Sequence, residues 1–205
     1  MIYTLHGWSY DRRVWKGTSF ERAVHLELPG HGESPFKSTD LERLSLEIGE
    51  TLKEGSTVVG WSLGATVSIL IGLYYPEKIK EIILYAPTPS FTELSQPEAV
   101  VRKFLKKLRR NFHDGVMFFR ELSSRKKLPL PPLEPRNSIA LLESFVNFNC
   151  LEAVREVKAP VKVVVGEEDG ITGVKGAFEV FRNAARPELK IVPGADHLTV
   201  LEHAI

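Results

Sequence analysis

The sequence is poor in several features whose absence limits what the protein can be. It has one cysteine, Cys150, among 205 residues. A single cysteine excludes an intrachain disulfide and a structural zinc site made of several thiolates. Neither sign of charge dominates, because 27 Lys and Arg stand against 26 Asp and Glu, so the net charge indicates no nucleic-acid or membrane partner. With 43% apolar residues, the chain is long enough for one globular domain with its own core.

Long apolar runs are also missing. The longest candidate, around residues 65–75, is shorter than the roughly 18 residues of a membrane span and is expected to be a buried helix. Residues 1–5 lead straight into the loop His6-Gly7-Trp8, which leaves no room for the basic and apolar regions of a signal peptide. We therefore expect a cytoplasmic protein without a membrane partner.

Short runs of strand-forming residues alternate with segments of helical apolar spacing over most of the chain. The predicted strands cover residues 2–5, 23–28, 57–59, 80–85, 161–165 and 188–192. One apolar stripe runs from Leu41 to Leu52, and Thr39 with Glu42 predicts a capping box at its start. Strands that alternate with helices predict an α/β fold whose mainly parallel sheet is covered on both faces.

This alternation stops between about residues 88 and 149. Helices are expected there instead, and a proline-rich hinge separates the last two. Their predicted ranges are 97–111, 115–122 and 137–148, with the hinge at 128–133. We therefore predict a core made of residues 1–87 and 150–205, and a helical cap made of residues 88–149, which is called the insert below.

Positive charge is concentrated on the insert. Residues 91–128 contain ten Lys and Arg but four Asp and Glu. Six of these cations lie on the first predicted helix: Arg102, Lys103, Lys106, Lys107, Arg109 and Arg110. A basic helix face is often merely solvated, but it can also bind an acidic protein. Nucleic acid fits less well, because the aromatic residues follow the apolar stripe and do not lie among the cations.

A Gly-x-Ser-x-Gly motif, residues 60–64, follows the third predicted strand and precedes an almost wholly apolar helix. This context is that of a nucleophile elbow, in which a strained turn raises the serine above the sheet. Glycines at both ends of the motif allow the strand and the helix to approach closely. The five residues alone would also suit a flexible loop, but their context favours Ser62 as a nucleophile.

A serine hydroxyl attacks only when a base takes its proton, and a carboxylate orients that base. Six histidines are candidates for the base. His197 follows the last predicted strand, where a loop can return to the edge of the sheet, and is the predicted base. The others lie in loops, a strand, the insert or the tail: His6, His25, His31, His113 and His203.

Three consecutive carboxylates, residues 167–169, follow the fifth predicted strand. Asp169 lies at the turn beside Gly170 and is the predicted acid, and Glu168 is the fallback. Asp196 is a rival, but a residue adjacent to His197 points away from its ring. Ordinary surface charge is the alternative interpretation of these carboxylates.

An attacked ester gains negative charge on its carbonyl oxygen, which backbone N–H groups stabilise. One predicted donor is the N–H of Leu63, at the start of the elbow helix. The other is the N–H of Trp8, in the loop after the first strand, although a simple core aromatic is the alternative role for Trp8. Both residues are expected to contact the substrate, and Phe118 of the insert is expected to line an acyl channel.

Segments from most of the chain resemble the α/β-hydrolase superfamily. In chain order they are HGW, LPGHGES, GWSLGA, GEEDGIT and GADHLTVLEH. The order Ser62, Asp169, His197 is also that of the superfamily. Within it, HGW, GWSLG and YAPTPSF are similar to the pimeloyl-acyl-carrier-protein methyl ester esterases of biotin synthesis.

This resemblance implies a compact α/β-hydrolase fold of about six strands, without the superfamily's N-terminal hairpin, and with a helical cap. It implies a serine carboxylesterase that removes the methyl group from an acyl chain carried by acyl carrier protein. No metal or organic cofactor is implied. Because acyl carrier proteins are strongly acidic, the basic helix of the insert would steer and orient such a partner.

Other functions of the same residues stay open. A small-molecule esterase or thioesterase would use them, as would a C–C hydrolase or lyase acting on an acidic metabolite. A receptor-like hydrolase fold would bind a ligand without turnover. The intact order of the serine, the acid and the histidine argues against the receptor.

Overall fold

Six strands form a single sheet in the computed structural model, which describes residues 1–204. They are β1 (Ile2–Leu5), β2 (Val24–Leu26), β3 (Ser56–Trp61), β4 (Ile79–Tyr85), β5 (Val161–Gly166) and β6 (Pro187–Val192). Neighbours pair in the order β2-β1-β3-β4-β5-β6, and all five pairs are parallel. The predicted α/β fold with a mainly parallel sheet is confirmed.

Helices connect the strands and cover the sheet. They are α1 (Leu41–Thr51), α2 (Leu63–Tyr74), α3 (Phe91–Leu94), α4 (Glu98–Arg110), α5 (Phe112–Ser123), α6 (Pro135–Val146), α7 (Leu151–Glu156) and α8 (Gly173–Asn183). Two short 3-10 turns cover Arg12–Trp15 and Thr199–Glu202. None of the helices within residues 1–204 is long and apolar enough to cross a membrane. The expected cytoplasmic location stays a prediction.

The direction of winding changes at β1. The chain places β2 on one side of β1, then returns to place β3, β4, β5 and β6 in turn on the other side. At such a switch point the loops that leave the two central strands diverge, which opens a crevice at their carboxyl ends. The loop after β1 and the turn after β3 therefore meet at the place where this fold binds ligands.

The start of α1 differs from the predicted capping box, which was wrong. The N-cap is Asp40, whose side chain accepts a hydrogen bond from the N–H of Arg43 at 2.9 Å. Aspartate caps a helix at least as well as threonine. With the cap one residue later than Thr39, Glu42 falls at the second helical position and cannot complete a capping box.

The insert carries α3, α4, α5 and α6 between β4 and β5. Its two ends meet, because an isolated antiparallel bridge joins Ser90 to Asn149 and the N–H of Cys150 donates to the carbonyl of Pro89 at 2.8 Å. The proposed boundaries of core and cap at residues 88 and 149 stay predictions. The short helices α3 and α7 had no counterpart in the predicted set.

The elbow helix α2 packs against the strands with almost no space between them. A Cβ on Gly60 would overlap the carbonyl oxygen of Gly64 and the hydroxyl of Ser68, and a Cβ on Gly64 would lie 2.5 Å from the carbonyl oxygen of Leu5. Two of these contacts are to backbone atoms, which cannot rotate away. The glycines of the motif are therefore required by packing between β3, α2 and the end of β1.

Replacement of Gly60 by alanine should destabilise the protein strongly. The added methyl group meets backbone, so we expect Gly60→Ala to lower the free energy of unfolding by about 3 kcal/mol or more. Gly55→Ala is the matched control. Gly55 has a φ of 69° and open space around its Cβ position, so its replacement should cost only about 1–2 kcal/mol of backbone strain. Urea unfolding measures both, and equal losses would contradict the packing role of Gly60.

Candidate active site

Ser62 lies at the turn between β3 and α2 in a conformation that few non-glycine residues adopt. Its φ is 55° and its ψ is −118°. Its N–H donates to the carbonyl of Tyr85 on β4 at 2.9 Å, which fixes the turn to the neighbouring strand. Backbone strain of this kind persists only where the surroundings enforce it. The turn presents the Ser62 hydroxyl at the carboxyl edge of the sheet.

His197 and Asp169 reach Ser62 from the loops after β6 and β5. The Nε2 atom of His197 lies 3.0 Å from Ser62 Oγ, and its Nδ1 atom lies 2.8 Å from Asp169 Oδ2. All three residues are buried. A carboxylate beside Nδ1 keeps the proton on that nitrogen, so Nε2 is free to accept the hydroxyl proton of Ser62. The structure thus brings together the three residues predicted as nucleophile, base and acid.

The Asp169 carboxylate is held by more than the histidine. Its Oδ1 accepts hydrogen bonds from the N–H groups of Ile171 at 2.8 Å and Thr172 at 3.0 Å, and its Oδ2 accepts from the Thr172 hydroxyl at 2.8 Å. Burial by itself raises the pKa of Asp169, but the charge of His197 and these hydrogen bonds outweigh it and lower that pKa below its usual value. Asp169 therefore stays ionised and orients the ring.

The structure separates Asp169 from its rivals. Within residues 1–204, Asp169 is the one carboxylate at ion-pair distance from His197. The fallback, Glu168, is exposed. Asp196 caps the turn that follows it and accepts hydrogen bonds from Thr199 N–H at 2.8 Å and the hydroxyl of Ser124 at 2.8 Å. Asp196 therefore ties the insert to the loop that carries His197.

Two other histidines anchor the loop after β1. His6 Nε2 accepts a hydrogen bond from the N–H of Leu28 at 3.0 Å, and His31 Nε2 accepts from the N–H of Ser9 at 2.9 Å. The Nδ1 atom of each ring lies within 3 Å of a backbone carbonyl, that of Gly7 or Pro29, and donates to it. Each ring must therefore be neutral, with its proton on Nδ1. Sequence reasoning considered both only as candidate bases and missed this role.

The loop after β1 lies directly beside the nucleophile. A Cβ on Gly7 would be 3.2 Å from the Cβ of Ser62. Within residues 1–204, the backbone N–H groups of Trp8 and Leu63 have no hydrogen-bond partner, as donors awaiting a substrate oxygen would. The Trp8 indole is buried and donates to the carbonyl of Ser138 on α6 at 2.8 Å, so Trp8 is a core aromatic as well. Its role in an oxyanion hole stays a prediction.

An apolar cavity of about 100 Å³ lies between α4, α5 and α6. Phe104, Phe118 and Phe119 line it on one side, and it extends to Ile171, two residues beyond the acid Asp169. The edge of the Trp8 ring system packs against Phe104 and Phe119, at centroid distances of 5.9 and 5.1 Å. Phe118 is partly exposed and lies at the outer rim. Two residues that line the cavity therefore contact Trp8, which belongs to the loop after β1.

The six cations of α4 fall into two groups. Arg102 pairs with Glu98, and Arg109 pairs with Glu143 on α6. The other four line a groove of about 360 Å³ and make no ion pair within residues 1–204: Lys103, Lys106, Lys107 and Arg110. The Lys107 Nζ atom lies 5.3 Å from the centroid of the Phe118 ring, which also lines the cavity. Phe118 thus contacts one cation of the basic groove and also lines the apolar cavity.

The parallel sheet and the hydrogen-bonded serine, histidine and aspartate at its carboxyl edge define an α/β hydrolase. A model of the alpha/beta hydrolase family matches residues 2–204, and the chain belongs to that family. The resemblance predicted from the sequence is confirmed. No group of three His, Cys, Asp or Glu side chains within the described residues is placed to hold a metal ion.

Two relatives that share one name match nearly the whole chain. A pimeloyl-acyl-carrier-protein methyl ester esterase of Nitrosospira multiformis is 26% identical, over 98% of this chain and 89% of its own length. The protein of the same name from Nitrosomonas europaea is 27% identical, with the same coverage. Among solved structures, a hydrolase from Oleispira antarctica has a TM-score of 0.87 at 13% identity, covering 98% of this chain and 85% of that one. This structural similarity shows the shared fold.

Acid should destabilise the protein through His6 and His31. Burial lowers the pKa of both, and together with the neighbouring His6 ring it lowers the pKa of His31 to about 3. In the unfolded chain each histidine binds a proton below about pH 6.5, so stability falls as the pH falls below that value. The expected slope for His31 is about 1.4 kcal/mol per pH unit, and His6 adds to it in the same direction.

His31→Gln keeps an acceptor for the Ser9 N–H but cannot titrate. Urea unfolding between pH 6 and pH 5 should therefore show a slope that is smaller by about 1.4 kcal/mol per pH unit than in the wild type. A slope equal to that of the wild type would mean that His31 is not held neutral in the folded protein.

Proposed function

We propose that the protein is a serine esterase in which Ser62 is the nucleophile, His197 the general base and Asp169 the residue that orients it. The observation that carries this proposal is the hydrogen-bonded chain from Ser62 Oγ through the His197 ring to Asp169. The burial of all three side chains supports it, because charge interactions are stronger where water is excluded.

In the proposed reaction, Ser62 Oγ attacks the ester carbonyl while His197 Nε2 takes the hydroxyl proton. The tetrahedral intermediate collapses, the ester C–O bond breaks, and His197 gives its proton to the departing alcohol. Water then attacks the acyl-enzyme, again with His197 as base, and releases the acid and the free Ser62. Asp169 stabilises the imidazolium in both halves without taking its proton.

The N–H groups of Leu63 and Trp8 are proposed to bind the carbonyl oxygen as it becomes negative. Each such donor contributes about 3–4 kcal/mol to stabilisation of the transition state. The position of the Gly7 backbone against Ser62 supports this assignment, because it sets the loop that carries Trp8 next to the reacting atom.

The proposed substrate is a methyl ester of an acyl chain carried by acyl carrier protein, as in biotin synthesis. The names of the relatives support this chemistry. The apolar cavity, with Phe118 at its rim, would hold the acyl chain, and the basic groove beside it would hold the acidic carrier. The four unpaired cations would contribute most, because Arg102 and Arg109 already have partners.

Ser62→Ala should abolish ester hydrolysis without unfolding the protein. Loss of the nucleophile is expected to lower kcat for short p-nitrophenyl esters by about 10⁴-fold or more, and to prevent labelling by a fluorophosphonate probe. Ser68→Ala, which removes another buried hydroxyl from α2, is the control and should retain turnover and labelling. Turnover that survives in Ser62→Ala would overturn the mechanism, whereas a wild type that is never labelled would favour a receptor-like protein.

Reversal of charge in the groove should weaken use of a carrier-bound ester only. We expect Lys103→Glu, Lys106→Glu and Arg110→Glu together to raise KM for a methyl ester on acyl carrier protein by about 10-fold or more, and to leave KM for the free methyl ester unchanged. The charge-matched control carries Lys53→Glu, Lys80→Glu and Lys158→Glu, all on exposed positions of the core. Equal effects of the two triple variants, or equal effects on both substrates, would count against docking at the groove.

A further inference from the structure

Arg120 of α5 is a buried cation that forms no ion pair within residues 1–204. Its Nη1 atom donates to the carbonyl of Ser9 at 2.6 Å, and its Nη2 atom donates to the carbonyl of Leu128 at 2.8 Å. The guanidinium lies over the ring of Tyr10, 3.9 Å from its centroid. Burial of a charge is unfavourable unless hydrogen bonds and other contacts offset it. The position of Arg120 therefore needs a physical reason.

The carbonyl that Arg120 binds belongs to a strained residue. Ser9 has a φ of 65°, its side chain is buried, and its hydroxyl has no hydrogen-bond partner within the described chain. Ser9 is therefore held in this conformation by its backbone, whose N–H donates to His31 Nε2 at 2.9 Å and whose carbonyl accepts from Arg120. Strain of this kind is maintained only by such fixed partners.

We propose that Arg120 is a positioning residue, which holds Ser9 in its strained conformation and thereby aims the adjacent N–H of Trp8 at the substrate oxygen. This inference rests on the proposed function, because the role of Trp8 belongs to it. Arg120 itself makes no hydrogen bond to Ser62, His197 or Asp169 within the described residues. Arg120 acts on the backbone between Trp8 and Tyr10 from the insert. His31 binds the same backbone from the core.

Contacts other than those of Arg120 also attach the insert to the loop after β1. The Ser123 hydroxyl lies 2.7 Å from the Tyr10 hydroxyl and so ties α5 to the same loop. The Trp8 indole, bound to the carbonyl of Ser138, ties the loop to α6. These contacts are made by side chains of the loop, whereas Arg120 binds the backbone carbonyl of Ser9 and also stacks on the Tyr10 ring. A role in positioning can therefore be separated from a role in attachment.

Arg120→Met keeps the length of the side chain and removes its donors. With p-nitrophenyl acetate at a temperature well below unfolding, we expect kcat to fall about 10- to 100-fold with KM within about two-fold of the wild type, as for misplacement of one oxyanion donor. Arg120→Lys has a single ammonium that cannot span both carbonyls, so kcat should fall about 3- to 10-fold. Ser123→Ala is the matched control and should retain the wild-type kcat.

The outcomes are distinguishable. A kcat of Arg120→Met within about two-fold of the wild type, or an equal loss in Ser123→Ala, overturns the positioning role and leaves the proposed esterase intact. A wild type without ester turnover overturns both. If Arg120→Met does not fold, Arg120→Lys is used to test the positioning role instead. A wild-type kcat in Arg120→Lys would then overturn the inference.

Discussion

The constraint on which this structure depends is the close approach of three backbone segments around Ser62. The end of β1, the turn after β3 and the first turn of α2 come within contact at Gly7, Gly60 and Gly64. Gly60 and Gly64 have no room for a Cβ, and a Cβ on Gly7 would lie 3.0 Å from the Trp61 ring. The strained turn at Ser62, with its positive φ, lies within this contact, and the loop after β1 lies beside Ser62. The acid and the base then need only leave neighbouring parallel strands at the same edge of the sheet.

Much of the core could be predicted because its determinants are local. Strands, the motif around Ser62 and the positions of Asp169 and His197 at strand ends all leave short patterns in the sequence. Arg120 and Ser9 lie 111 residues apart, and a contact over that distance leaves no periodicity and no motif. The pairing of Arg109 with Glu143 likewise required the positions of α4 and α6. The helices α3 and α7, with four and six residues, are too short to show an apolar stripe.

Charge is distributed unequally between the interior and the insert surface. Near Ser62, the buried His6 and His31 are neutral and the Asp169 carboxylate is ionised, while the buried Arg120 cation is held by backbone carbonyls and the Tyr10 ring. On α4, four cations that form no ion pair within residues 1–204 line one groove, and one of them, Lys107, lies over the Phe118 ring. For the proposed acidic carrier, these cations would attract it to the surface of the insert, and its charges would not have to enter the interior.

Trp8 belongs to the core but also contacts the insert, and this limits which caps could replace the insert. The preceding residue, Gly7, lies beside Ser62, while the Trp8 indole binds the carbonyl of Ser138 and packs on Phe104 and Phe119 of the insert. Core and insert are therefore not independent modules. A chimera with a foreign cap on this core would need a new acceptor for the Trp8 indole and a new donor for the Ser9 carbonyl. Without them, the loop after β1 would lose its geometry, although the sequence of that loop is unchanged.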